Sequence, residues 1–197
     1  MELLETIARR RMVRRTSGEP VEREVLLHLL EAARRAPSAG FSQGQRFVVV
    51  VDDERRRALA ELAGEPDYVA RGFDPWLSAA PALVVPCADE RAYRARYDEP
   101  DKSGGPGQWD VPYWWVDAGA ALENLLLAVV DAGLVAGFLG AHAVPGLAGF
   151  LGLPEGVHPL GVVPIGHPHP DGDRPSGSLA RGWADLDDVV SWDAWDG

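Results

Sequence analysis

Residues 113–131, Tyr-Trp-Trp-Val-Asp-Ala-Gly-Ala-Ala-Leu-Glu-Asn-Leu-Leu-Leu-Ala-Val-Val-Asp, constrain the fold most. The run has helical length and pattern, ends before Gly133 and is apolar nearly all round. A helix with apolar residues on every side has to lie in a core or in an interface. Gly119, Ala120 and Ala121 supply small contact positions along it. The remaining elements are those that can cover such a helix.

Helices are expected over about residues 2–11, where Leu3, Leu4, Ile7 and Ala8 repeat at helical spacing, and over Val21–Ala36. The second has Glu22 and Glu24 in its first turn, Arg34 and Arg35 in its last, and Pro37 as its stop. Asp52-Asp53 caps a third helix running to about Ala63, and Val144–Leu151 forms a short one. Four apolar runs read as buried strands: Phe47–Val51, Ala82–Pro86, Leu134–Leu139 and Leu160–Ile165. Residues 89–112 are charged, then rich in Gly and Pro, and read as a mobile surface excursion inside the domain. Residues 168–197 are acidic and rich in Asp, Gly and Trp, with no long periodic run. Two opening helices followed by alternation give a single α/β or α+β domain over residues 1–197.

Charge narrows the function. Lys+Arg is 19 against 30 Asp+Glu, a net charge of −11, which argues against nucleic acid and against an anionic membrane surface as partners. The exception is local: five of the seven residues from Arg9 to Arg15 are Arg. No apolar run approaches the roughly 18 residues of a membrane span. The N-terminus lacks the basic-then-apolar order of a signal peptide, so a cytoplasmic protein is expected. The single cysteine, Cys87, reads as a small core residue. The five His have no metal-ligand spacing, so no metal is expected. Neither a G-x-G-x-x-G loop, a G-x-x-x-x-G-K-[ST] loop nor a G-x-S-x-G elbow occurs.

Four segments carry candidate chemistry. Arg10-Arg11-Met12-Val13-Arg14-Arg15 stands at the end of the first helix; guanidinium groups bind phosphate bidentately, and Arg10 and Arg14 share a face if the helix persists. The alternative is a solvated basic face. Ala36 to Gly44 is a small-residue loop whose backbone, Ser and Gln groups can hydrogen-bond a planar heterocycle, or a plain helix-to-strand connection. Leu139-Gly140-Ala141 follows a strand, and glycine there permits close approach of a ligand to the backbone, or simply makes a turn. Arg174 and Arg181 stand in acidic surroundings, either ion-paired or as part of an anion clamp.

In this order the segments resemble the nitroreductase family of FMN-dependent oxidoreductases. The motifs that carry the resemblance are Arg10-Arg11-Met12-Val13-Arg14, Ala36 to Gly44, Asp117 to Ala128, Gly133-Leu134, Gly140, Pro164-Ile165-Gly166 and Val189-Val190-Ser191-Trp192. The chain departs from the family pattern at Met12, Phe41 and Gly44, where the family has Ser, Asn and Pro.

The resemblance implies an α+β fold: a central, mostly antiparallel sheet flanked by helices, a long dimer-interface helix at Tyr113–Asp131, a lid over 89–115 and a C-terminal arm over 168–197. It implies a homodimer with FMN as cofactor and NAD(P)H as co-substrate. Arg10 and Arg181 would hold the FMN phosphate. Arg14 would lie near the pyrimidine edge of the flavin as an electrostatic group. Arg11, Met12, Pro37, Ser38, Ala39, Phe41, Gln43, Leu139 and Gly140 complete the cofactor site, with Ser38 and Gln43 reaching the flavin of the other subunit. Trp109, Tyr113 and Trp114 are the candidates to stack on a small aromatic electron acceptor, or else they pack the lid and the dimer seam. The implied reaction is ping-pong hydride transfer from NAD(P)H to nitroaromatic or quinone-like acceptors. Alternatives on the same fold are metabolite dehydrogenation, reductive dehalogenation, or flavin sequestration without turnover.

Overall fold

The computed structural model describes residues 2–102, 110–174 and 177–195. Its elements in chain order are α1 (Leu3–Arg9), α2 (Arg23–Ala33), β1 (Gln45–Val50), α3 (Asp53–Leu62), α4 (Glu65–Ala70), β2 (Ala82–Asp89), α5 (Glu90–Tyr97), α6 (Tyr113–Asp131), β3 (Val135–Ala136), β4 (Leu139–Gly140), α7 (Leu147–Leu151), β5 (Val157–Pro159) and β6 (Gly161–Gly166). Short 3-10 turns include Ala39–Phe41 and Gly177–Arg181. The strands form one antiparallel sheet ordered β1-β2-β6-β3, with β5 also on β2 and β4 also on β6.

The two-residue period of a strand sorts the core into two layers. Ala82 and Val84 of β2, with Val163 and Ile165 of β6, pack against Leu26 and Leu29 of α2 and Leu125, Leu126 and Val129 of α6. Leu83, Val85 and Cys87, with Val162, face the other way, toward Leu59, Trp76, Leu77, Val144 and Leu147. Because both faces are covered, β2 and β6 are buried throughout and read in sequence as continuous apolar runs.

Helix α6 has the bounds that the pattern predicts. It ends in a Schellman motif: Gly133 takes φ 73°, its N–H donates to Val130 O, and Leu134 N–H donates to Val129 O, each at 3.0 Å. Trp114, Asp117, Ala118, Ala121, Leu125, Leu126 and Val129 are buried against the sheet layer. The opposite line is open: Val116 is 54% exposed, and Gly119 and Glu123 are exposed as well. Leu3, Leu4 and Ile7 of α1, which packs on α6, are exposed beside it.

Several boundaries differ from the sequence-based expectation. Helix α1 stops at Arg9, and Arg10 is extended (φ −60°, ψ 128°), so Arg10 and Arg14 do not share a helical face. Leu134–Leu139 is not one strand. It divides into β3 and β4, and Gly137 between them lets Val13 O approach to 2.7 Å from where a Cβ would stand. The N-terminal segment docks at that point, with Val13 N–H donating to Ala136 O at 2.8 Å. The 89–112 stretch is not wholly an excursion, since it begins with the regular helix α5. Short elements α4 and β5 carry too few residues to show a period.

Candidate functional site

The segment after α1 is pinned at three points. Besides Val13, Thr16 bridges to Pro168, and Ser17 N–H donates to His167 O at 3.0 Å. This lays residues 10–17 along β3 and the end of β6. Met12 turns inward and packs on the α2–α6 core layer, while Arg11 is exposed. Arg10 points to α6: its Nε is buried and lies 3.0 Å from Glu123 Oε1, yet out of hydrogen-bonding alignment. Thr16 Oγ1 is likewise buried without a hydrogen-bond partner.

Arg14 leaves the chain in another direction. Its backbone N–H donates to Asp173 Oδ2 at 3.1 Å, and its guanidinium lies over the Trp76 ring, 5.4 Å from the centroid. Trp76 is held in turn by Glu65, a carboxylate only 5% exposed, at the start of α4. Glu65 Oε1 accepts from Trp76 N–H at 2.7 Å and Leu77 N–H at 2.6 Å, and the carboxylate also accepts from the Ser78 hydroxyl. Burying a carboxylate is costly unless donors saturate it in this way.

Arg14 and Trp76 line a cleft of about 300 Å³ together with Tyr68, Arg71, Phe138 and Leu139. Two residues named from the sequence, Arg14 and Leu139, therefore meet in one cleft. It adjoins a second hollow of about 250 Å³, which shares Arg14 and Tyr68 and adds Arg15, Phe73, Asp74, Asp173 and Arg174. Arg15 is ion-paired there to Asp171 at 3.6 Å and Asp74 at 4.0 Å. Arg174 of the acidic half lines this hollow, whereas Arg181 does not; both are exposed. At Gly140 a Cβ would stand 2.7 Å from His142 Nδ1, so the imidazole borders the glycine edge of the site.

The 37–44 loop lies elsewhere on the chain, against the start of α6. Neither Ser38 nor Gln43 lines the Arg14 cleft. Ala39 N–H donates to Asp117 Oδ2 at 2.8 Å, and Gln43 N–H donates to Ser38 Oγ at 3.0 Å. Phe41 (φ 58°) and Gln43 (φ 51°) both take left-handed backbone, which L residues adopt only at a cost of about 1–3 kcal/mol when the surroundings hold them there. Pro37, Phe41 and Gln43 are exposed, and Phe41 is 75% so. The loop presents a shaped, outward-facing surface.

Among the residues named for acceptor stacking, Tyr113 is 44% exposed and Trp109 lies outside the described residues. Trp114 is only 7% exposed and meets Tyr93 edge-on at 6.2 Å between ring centroids. In this subunit it packs against α5. No group of His, Cys, Asp and Glu among the described residues could hold a metal.

The nitroreductase family model matches residues 7–167, which spans both the Arg14 cleft and the 37–44 loop. The chain belongs to the nitroreductase family. An FMN reductase [NAD(P)H] of Bacillus subtilis is 34% identical over 85% of this chain and 66% of its own length. Iodotyrosine deiodinase 1 of Rattus norvegicus is 27% identical over 85% of this chain and 62% of its own length. The chain thus spans just under two thirds of each of these relatives. The solved NADPH:FMN oxidoreductase from Vibrio harveyi complexed with NAD+ superposes with a TM-score of 0.74 at 24% identity, covering 99% of this chain and 78% of that one, and so shares the fold.

Glu65, Trp76, Tyr93 and Arg96 belong to none of the motifs, and Asp117 opens one in which its side-chain role is not marked. The others are single residues whose partners are distant in sequence. No helix among the described residues is long and apolar enough to cross a membrane.

Proposed function

We propose that this chain is an FMN-dependent oxidoreductase that takes hydride from NADH or NADPH and passes it to a nitroaromatic or quinone-like acceptor, working in the cytoplasm as a homodimer. The observation that carries this reading is the Arg14–Trp76–Leu139 cleft, a fixed guanidinium beside an apolar wall and a glycine-edged strand end. FMN, when bound, supplies the redox chemistry and lets donor and acceptor use the site in turn.

The residues present fit that cofactor. Arg10 Nε and Thr16 Oγ1 are buried polar atoms lacking hydrogen-bond partners, on the segment that would meet the phosphate and the ribityl chain. Arg10 is the phosphate ligand, with Arg181 of the arm as its return contact. Arg14 is held on Trp76 as a permanent cation; at the pyrimidine edge it stabilises negative charge that develops on reduction. Leu139 and Gly140 bring backbone close to the reacting edge. No acid/base pair is needed, because solvent exchanges protons with the open site.

Dimerisation is supported by what the chain leaves uncovered. The outer line of α6 and the apolar residues of α1 are exposed together, and Leu179, Trp183, Leu186, Val189, Trp192 and Trp195 of the arm are each at least 63% exposed. Apolar exposure on this scale marks an interface. Strand β1 lies at the sheet edge, beside a groove lined by Leu26, Leu27, Leu30, Val49 and Val51. In the dimer each arm wraps its partner, and the 37–44 loop of one subunit meets the flavin held by the Arg14 cleft of the other.

Steady-state kinetics test the reaction class. Varying NAD(P)H against a quinone, a nitroaromatic and a halogenated phenol should give parallel double-reciprocal lines with the first two. Turnover with the halogenated phenol alone would move the assignment to reductive dehalogenation, in line with the deiodinase relative.

A further inference from the structure

One face of α5 grips the 38–44 loop. Tyr93, Arg96 and Tyr97 stand at i, i+3 and i+4 on this helix and so share a side. The Tyr93 ring fills the space beside Gly44, where any Cβ would collide with its Cε2 atom. A Cβ at Gly40 would stand 2.8 Å from Tyr97 Cε2, so that ring covers the loop's other glycine. Arg96 Nε donates to Gly40 O at 2.8 Å. The Tyr93 hydroxyl donates to Asp117 Oδ2 at 2.8 Å, and that same oxygen receives Ala39 N–H. Three elements, α5, α6 and the loop, thus meet on one carboxylate.

The loop needs such support. Gly40, Phe41 and Gln43 all take left-handed backbone within four residues, and two of them carry a Cβ. Without fixed partners the chain would relax to ordinary φ values. Tyr93 is fully buried, and burial together with the Asp117 hydrogen bond holds its hydroxyl pKa well above the ordinary tyrosine value. It remains a donor at any working pH. Arg96 is itself braced: it pairs bidentately with Asp101 at 2.7 Å on both contacts and reaches Glu99 at 3.0 Å.

We propose that Tyr93 and Arg96 are positioning residues for the flavin: they fix the backbone shape of the loop carrying Ser38 and Gln43, with Asp117 as the shared anchor. The proposal rests on the FMN reading above. It assigns to α5, the start of the predicted lid, a role in cofactor affinity and in the environment of the bound flavin.

The test is FMN titration of the full chain, followed by flavin fluorescence quenching, with visible circular dichroism of the saturated protein. Tyr93→Phe keeps the ring and removes the hydroxyl. Arg96→Gln removes the charge, and Arg96→Lys is the conservative variant. Tyr93→Phe and Arg96→Gln should each bind FMN about tenfold more weakly, the loss expected for one hydrogen bond to a charged group. Both should shift the dichroism of the bound flavin, and Arg96→Lys should restore part of each effect. Affinity and dichroism equal to wild type would overturn the proposal. So would weaker binding with unchanged dichroism at saturation, which marks a contribution to folding alone. If Tyr93→Phe fails to fold, the two Arg96 variants decide the matter. Failure of the wild type to bind FMN would overturn the cofactor reading itself, and that result is visible before any variant is made.

Discussion

The Arg14 guanidinium lies over the ring of Trp76, whose backbone N–H is held by Glu65. Arg14 and Trp76 are 62 positions apart, and their 5.4 Å contact places a cation in the wall of the cleft, beside Trp76, Phe138 and Leu139. A cation whose position is set by packing costs no reorganisation when negative charge appears beside it. Arg14→Gln should therefore retain FMN but slow its reduction by NAD(P)H about tenfold or more, the scale of one removed charge-stabilising group. Anaerobic stopped-flow absorbance measures this directly.

Arg10 is the residue whose loss should release the cofactor. Its buried Nε is ion-paired to Glu123 at 3.0 Å but makes no hydrogen bond, which leaves that donor for a phosphate oxygen. Arg10→Ala should weaken FMN binding by about 1.5–3 kcal/mol, or roughly 10- to 150-fold. Equilibrium dialysis against free FMN reads the change, and unchanged occupancy would show that the phosphate lies elsewhere.

Glu65→Ala should destabilise the fold by about 3 kcal/mol, because several buried donors at Trp76, Leu77 and Ser78 lose their acceptor together. Glu65→Gln retains one carbonyl acceptor and should cost less. Urea unfolding distinguishes the two. The Gln variant should also disturb flavin reduction less than the Ala variant, because Trp76 keeps more of its support.

Acid sensitivity should arise in part at the end of β2. The Arg91 guanidinium hydrogen-bonds both Asp89 oxygens, at 2.8 and 3.0 Å, and, with Arg46 nearby, holds the Asp89 carboxyl below the ordinary 3.8. A carboxyl depressed in the folded state binds protons more weakly there than in the unfolded chain. Its stabilisation is present above 3.8 and is lost as pH falls through the depressed folded value. Asp89→Asn should destabilise the protein by about 2 kcal/mol at neutral pH, and the gap to wild type should narrow as the pH falls through the depressed folded value. Urea midpoints across pH give both numbers.

Most of the framework was legible because it is periodic. The core layers are the 3.6-residue repeats of α2 and α6 and the apolar runs of β1, β2 and β6, and α6 begins and ends where its pattern does. What escaped is local structure fixed by distant partners. Helix α5 looks like charged surface, since its informative residues, Tyr93, Arg96 and Tyr97, answer to a loop some fifty residues earlier. The early end of α1 has no Gly or Pro to announce it; the following segment is drawn off by backbone pairing to Ala136, His167 and Pro168. Arg14 could be named from its motif. Its platform could not, because Trp76 and Glu65 lie in a stretch of short elements with no repeat. The inward face of α6 was hidden for a different reason: the helix is apolar nearly all round, so its pattern does not single out one face.

The measurement that bears most directly on the central claim is the visible spectrum of the purified, FMN-loaded chain before and after anaerobic addition of NADH or NADPH. The account predicts a yellow dimer whose flavin absorbance bleaches with at least one of the two nucleotides and returns when a quinone is added. A monomer that takes up no FMN, or a bound flavin that neither nucleotide bleaches, would contradict it.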